Sequence, residues 1–163
     1  MLIWKNIENQ SNNVINSWMS QSDKHFLCME NKNWTETAED ISDCLKFMPK
    51  SQFKNIIGEI NNKPVLTVML GVEDFGATLN IYNILVNPDF RNKGIITKIL
   101  SDLNKNKNIF NLKQTYNQIK MSVLPENKIM QAALKKSNFS NFVIDEEYLV
   151  FTKQINKNNQ IEF

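Results

Sequence analysis

The stretch V-N-P-D-F-R-N-K-G-I-I-T-K-I-L, Val86 to Leu100, holds the residues whose spacing says most about chemistry. An apolar run stops at Pro88. A polar turn carrying Arg91, Lys93 and Gly94 then leads straight into a segment of helical period. The start of a helix leaves several backbone N–H groups without partners, and they carry the positive end of the helix dipole. Such a turn binds phosphate without any particular side chain. Gly94 permits unusual torsions and lets a ligand approach the backbone, and the two cations add charge. The plainer reading is that Gly94 only makes a tight turn and that Arg91 and Lys93 are solvated. No Ser, Cys or His stands in a nucleophile–base–acid arrangement, so the turn points to holding an anion rather than to covalent catalysis.

Period and turn residues give the elements around this turn. Residues 2–7 form a short strand, and S-N-N-V-I-N-S-W-M-S is a helix carrying Val14, Ile15, Trp18 and Met19 at helical spacing. A second helix covers T-A-E-D-I-S-D-C-L-K-F, capped by Thr35 or Thr37, with Ile41, Cys44, Leu45 and Met48 on one face and Pro49 ending it. F-K-N-I-I-G-E-I and P-V-L-T-V-M-L-G-V flank N-N-K-P and predict a hairpin. T-L-N-I-Y-N-I-L-V is a third strand. Leu79, Ile81 and Asn83 are expected on one face and Asn80, Tyr82 and Ile84 on the other, and the apolar end implies burial on both faces or a bulge. A helix follows from Gly94 to about Asn106, then a strand over N-Q-I-K-M-S-V-L. Pro125 and Glu126 open a last helix with Ile129, Met130, Ala133 and Leu134 inward, and F-V-I-D-E-E-Y-L-V-F-T-K is a final strand. The order β-α-α-β-β-β-α-β-α-β argues for an α/β (α+β) domain with a mixed central sheet and helices on both faces.

At 163 residues, 42% of them apolar, one domain over residues 1–153 with a polar tail over 154–163 is the simplest organisation. A net charge of +2, with lysines scattered and no basic-aromatic stripe, argues against a nucleic-acid partner. Cys28 and Cys44 make no CxxC pair, and only His25 lies nearby at metal-ligand spacing; the two could make one disulfide, but they read as ordinary reduced thiols. The first ten residues lack a signal-peptide pattern, and no apolar run approaches the ~20 residues of a membrane span. The expectation is a cytoplasmic protein, monomer or homodimer, with no membrane and no metal.

The turn also resembles a known motif. V-N-P-D-F-R-N-K-G-I-I is similar to the acyl-CoA motif V-x-P-x-x-[RQ]-x-x-G-x-[GA] of the GNAT superfamily of N-acyltransferases. Val86, Pro88, Arg91 and Gly94 match in register, and Ile96 departs from it. N-K-I-M-Q-A-A-L-K-K-S-N-F resembles the later N-x-x-A-x-x-x-Y-x-x-x-G-F motif, matching at Asn127 and Phe139 and departing at Met130, Leu134 and Asn138. The resemblance implies a mostly antiparallel GNAT-like sheet whose strands splay at an acyl-CoA cleft. It implies acetyl-CoA as co-substrate, its pantetheine arm beside Leu85 and Val86, its pyrophosphate on the amides of Arg91, Asn92, Lys93, Gly94, Ile95 and Ile96, and Asn127 binding the arm or ordering the site.

The implied reaction is direct attack of a primary amine, on a small molecule or a protein, on the thioester. A general base is then needed for an alkylammonium whose pKa is near 10.4. Some members place a Glu at the slot that Asn80 fills here. Glu59, Glu73 and Asp74, on or beside the hairpin, could act directly or through water; Glu59, in an apolar strand, is the preferred candidate, and Glu73 and Asp74 read more plainly as solvated turn or edge charges. The helix tyrosine that often protonates the leaving thiolate is replaced by Leu134, which makes Tyr82 and Tyr148 the candidate acids. In the family the first two helices line the acceptor site. Here Asp23, Glu30, Glu36, Glu39, Asp40 and Asp43 suggest an acidic wall for a cationic amine, with Glu30 and Trp34 as acceptor contacts. The plain alternative has these acids decorating a helix and Trp34 covering the core; His25 reads as a packing residue. Asn80, Ile96 and Leu134 also admit a second function, a protein of the same fold that binds acyl-CoA as a sensor or interaction module.

Overall fold

Asn61 and Asn62 both adopt positive φ, 51° and 59°, the torsions of a tight two-residue hairpin turn. They join β2 (Gln52–Ile60) to β3 (Lys63–Glu73) in antiparallel register. The computed structural model describes residues 2–7, 9–49, 51–73, 77–105, 112 and 116–155. Asp74 and the expected tail from 156 onward lie outside these residues. The chain order is β1 (Ile3–Asn6), α1 (Asn9–Ser17), α2 (Gln21–Phe26), α3 (Trp34–Lys46), β2, β3, β4 (Thr78–Val86), α4 (Ile95–Lys105), β5 (Gln118–Val123), α5 (Lys128–Lys136), β6 (Asn141–Asp145) and β7 (Tyr148–Gln154). The seven strands form one sheet in the order β1-β2-β3-β4-β5-β7-β6. Every neighbouring pair is antiparallel except β4–β5.

Two apolar clusters lie on opposite faces. Ile99, Leu100 and Leu103 of α4 and Met130 and Leu134 of α5 pack on one face with Val68, Leu70, Leu79 and Ile81. Ile15 and Trp18 of α1 and Trp34 and Ala38 of α3 pack on the other with Met29, Ile57, Met69 and Leu85. Among the described residues no helix is long and apolar enough to cross a membrane.

Several elements differ from the sequence expectation. A third helix, α2, precedes the expected second one, and Ser20 caps it through a reciprocal capping box with Asp23. Asn33, not Thr35 or Thr37, caps α3, with Glu36 closing the box. That start turns Trp34, Ala38 and Leu45 inward and leaves Cys44 and Met48 exposed. Ile129 is 77% exposed, because Asn127 caps α5 and the buried face falls on Met130, Gln131 and Leu134. The expected final strand is a hairpin, β6 and β7, turning at Glu146, whose φ is 53°. Gln154 pairs with Gln118, and Ile155 is buried; both lie in the expected polar tail.

The departure that matters most for function is in β4. Met69 faces Asn83 and Leu70 faces Ile81, which leaves Tyr82 as the extra residue of a β-bulge. The bulge resets the alternation. Ile84 and Val86 join Leu79 and Ile81 in one cluster, while Asn83 turns to the other face, its Nδ2 3.9 Å from the sulfurs of Met29 and Met69.

Candidate functional site

Strands β4 and β5 touch along only part of their length. Their parallel register covers Thr78–Asn80 against Gln118–Lys120, and no pairing continues toward Val86 and Val123. Beyond Asn80 the strands part, and a cavity of about 630 Å³ opens in the gap. Ile84, Leu85, Val86, Met121 and Val123 are among its walls. Asn87 N–H donates to Val65 O on β3 (2.9 Å). Backbone groups alternate in direction along a strand, so Leu85 also faces β3, while Ile84 and Val86 face the gap. Of the two residues expected beside an acyl donor, Val86 directs its backbone groups into the gap and Leu85 directs its own toward β3.

The large cavity ends at the turn. Pro88–Phe90 make one 3-10 turn that Asn87 caps, and α4 starts at Ile95. Asn92 and Gly94 both have positive φ, 60° and 70°. The N–H groups of residues 92–97 have no backbone acceptor among the described residues, and Lys98 N–H is the first to reach back, to Gly94 O (3.0 Å). Torsions of this kind curl successive N–H groups toward one point, which makes an anion cradle. A Cβ built at Gly94 meets nothing within 4 Å, so the protein leaves that space open. Arg91, Asn92, Gly94, Ile95 and Ile96 line the cavity, as does Asn127, whose Oδ1 accepts the Met130 N–H (3.1 Å) as the α5 cap. Lys93 is absent from the lining: its Nζ donates to Asp89 O (2.9 Å) and lies 5.1 Å from the Phe90 ring centre.

Arg91 is placed differently from a phosphate ligand. Its Nε donates to Val86 O (3.1 Å), and one terminal nitrogen donates to Trp18 O (2.9 Å) and Asp23 Oδ2 (3.0 Å). The guanidinium therefore ties the turn to the end of β4 and to the start of α2. Burial pushes the Asp23 carboxyl up, but the Ser20 amide and hydroxyl and the Arg91 guanidinium outweigh it and hold Asp23 below the usual carboxylate range.

A second cavity, about 270 Å³, lies beside the first and shares Phe26, Leu27, Tyr82, Asn83 and Ser122 with it. Tyr82 donates its O–H to Glu73 Oε1, and both residues line this space. Gly71 makes that contact possible. A Cβ there would sit 3.0 Å from Tyr82 Cε2 and 3.2 Å from its hydroxyl, so the bare glycine gives the ring room to lie against β3 and reach Glu73. Tyr148 also lines the cavity, its hydroxyl 3.3 Å from Cys28 Sγ. The hydrogen bond to Cys28, with its charge and some burial, pushes the Tyr148 hydroxyl up to about 12, so it stays protonated at ordinary pH.

Other expected residues lie elsewhere. Glu59 lines neither cavity: it pairs with Lys5 (2.5 Å) across β1 and β2. Trp34 is fully buried in the core, with its indole N–H on Asn55 Oδ1 (2.9 Å), so it cannot stack on an acceptor. Glu30 is exposed and pairs with His25 (3.0 Å). The expected acidic wall does not form: Asp40 pairs with Lys32, Asp43 with Lys46, Glu36 is held in a cap, and only Asp23 lines either cavity. Sequence reasoning set Glu73 aside and passed over Lys120, Ser122 and Phe26. The signal for Glu73 was Gly71 two residues earlier in an otherwise apolar strand.

Searches of protein-family profiles and of curated sequences return no match to this chain. Solved structures do match. One is a spermidine N-acetyltransferase from Vibrio cholerae in complex with CoA and spermine, with a TM-score of 0.66 and 11% identity over 94% of this chain and 95% of that one. A second is an aminoglycoside acetyltransferase in complex with coenzyme A, at 0.68 and 13% over 94% and 95%. A third is the GNAT domain of an S. lividans protein, PAT, at 0.66 and 10% over 93% and 89%. The chain has the GNAT fold. Likeness at these identities is a likeness of architecture.

Proposed function

We propose that the chain is an acyl-CoA-dependent N-acyltransferase that moves an acetyl group from acetyl-CoA to a primary amine. One observation carries this reading: the gap between β4 and β5 runs directly into the N–H cradle of the turn before α4. A molecule with an extended amide-bearing arm at one end and a diphosphate at the other suits that shape. The arm would take backbone bonds from Ile84 and Val86, and the diphosphate would rest on the amides of residues 92–96.

The reaction is an attack by the amine nitrogen on the thioester carbonyl. A C–N bond forms, the C–S bond breaks, and CoA leaves as a thiolate. A backbone N–H aimed at the carbonyl oxygen stabilises the tetrahedral intermediate and is worth up to a few kcal/mol. The ammonium must first lose its proton. Tyr82 stands where the two cavities join, hydrogen-bonded to Glu73. Its oxygen accepts the amine proton while its own passes to Glu73. Tyr148, held protonated, supplies a proton to the thiolate.

Leu134, fully buried and without a proton to give, favours a second reading: a CoA-binding module without turnover. Free-thiol release from acetyl-CoA with a panel of amines tests the two. Amine-dependent release supports the transferase. Calorimetric CoA binding with no release across the panel supports the module, and no CoA binding refutes both.

A further inference from the structure

We propose that the acceptor is a small amine that also bears an anionic group, a carboxylate or a phosphate, and that Lys120 holds that group. This rests on the acyl-transfer reading above and names the substrate class of the same site. The smaller cavity is lined by side chains of both signs, Glu73 from β3 and Lys120 from β5. Glu73 is engaged by Tyr82. Lys120 is half-buried and shares the cavity face with Ser122, and its side chain has no ion pair or hydrogen bond among the described residues. An unpaired ammonium at a cavity wall is a ready partner for a ligand anion.

Register sets the layout. Gly71, Asn80 and Lys120 stand abreast on β3, β4 and β5, so β3 and β5 are two strand spacings, about 10 Å, apart. Phe26, Tyr82 and Tyr148 line the cavity as well and suit an apolar or aromatic body. An acceptor whose amine meets Tyr82, at the junction with the larger cavity, has its remaining length beside Lys120. The cavity volume, about 270 Å³, is at the small end for ligand sites. A polyamine or aminoglycoside would bring further ammonium groups against the lysine, and Asp40 and Asp43, paired with Lys32 and Lys46, do not line this space.

The test compares amines that differ only in the anion: phenylalanine with phenethylamine, and phosphoethanolamine with ethanolamine, with spermine as the polycation. CoA release gives kcat/KM for each, and calorimetry on the CoA-bound protein gives affinity. The expected result is a preference of about tenfold or more for one anionic member over its partner, carried by KM, as one charge-assisted contact provides. The first pair reports a carboxylate and the second a phosphate. In Lys120→Met that preference disappears, and Lys120→Arg restores part of it. Three results overturn the proposal: spermine preferred over every anionic amine, an unchanged preference in Lys120→Met, or no affinity of CoA-bound protein for any anionic amine. Turnover of amines without any anion preference would sink this inference while leaving the acyltransferase reading intact. Loss of CoA binding would sink that reading itself.

Discussion

Replacing Gly71 by alanine probes the proton route without touching either wall of the cleft. The added Cβ would lie 2.9 Å from Leu45 Cδ1, 3.0 Å from Tyr82 Cε2 and 3.2 Å from the Tyr82 hydroxyl. Ordinary carbon contacts begin near 3.5 Å, so the ring must retreat by roughly half an ångström. The leucine methyl is the free end of a flexible side chain and gives way easily. That retreat shifts the Tyr82 hydroxyl from its place beside Glu73 at the junction of the two cavities. Overpacking of this size costs about 1–3 kcal/mol of stability. The expected catalytic effect is a fall in kcat of about a hundredfold, the lower end of the range for general acid–base assistance, with CoA affinity unchanged. Tyr82→Phe should show the same fall without the stability loss. The deficit should also narrow as pH approaches the amine's own pKa, about 10.4 for a lysine-like acceptor, because free amine then needs no base. Steady-state kinetics from pH 7 to 10 with CoA calorimetry would read all of this. A Gly71→Ala variant with wild-type kcat at neutral pH, or a deficit constant across the range, would refute the Tyr82–Glu73 route.

Gly94→Val should weaken CoA binding by about 1–3 kcal/mol, because a β-branched side chain both strains a φ of +70° and enters the cradle; pantetheine, which lacks the diphosphate, should bind both proteins alike. Arg91→Met should lower stability by about 1–3 kcal/mol, or Tm by roughly 2–10 °C, by releasing Val86, Trp18 and Asp23. The Asp23 carboxyl is depressed in the folded protein, so its contribution is complete above the unfolded value of about 3.9 and is lost as pH falls through the folded value. The gap between wild type and Arg91→Met should therefore shrink below about pH 4 in denaturant titrations. Trp34→Ala should cost about 3–5 kcal/mol of stability and leave the ranking of acceptors unchanged, as expected of a core residue.

Much of the sheet was legible because its signals are local. The Asn61–Asn62 turn, the apolar run of β4 and the Pro88-to-Gly94 turn each announce themselves within ten residues. The Asn33 cap of α3 was less so, since threonines inside the helix competed with it on paper. The bulge at Tyr82 had no compositional mark beyond a broken alternation, yet it decides which face Asn83 and Ile84 take. The Glu73–Tyr82 contact depends on register and on the missing side chain of Gly71, which join residues nine apart in two strands. Trp34 and Glu59 misled for a related reason. An aromatic in a polar segment and an acid in an apolar strand look functional until their partners, Asn55 and Lys5, are placed by strands far away in the chain.

The central claim is that the opening between β4 and β5, closed at one end by the amides before α4, receives acyl-CoA. A crystal structure of the protein grown with saturating acetyl-CoA tests it most directly. The account predicts diphosphate oxygens within hydrogen-bond distance of the N–H groups of residues 92–96 and the acetyl group beside Tyr82. Diphosphate bound elsewhere, or an empty cradle at saturation, would contradict it.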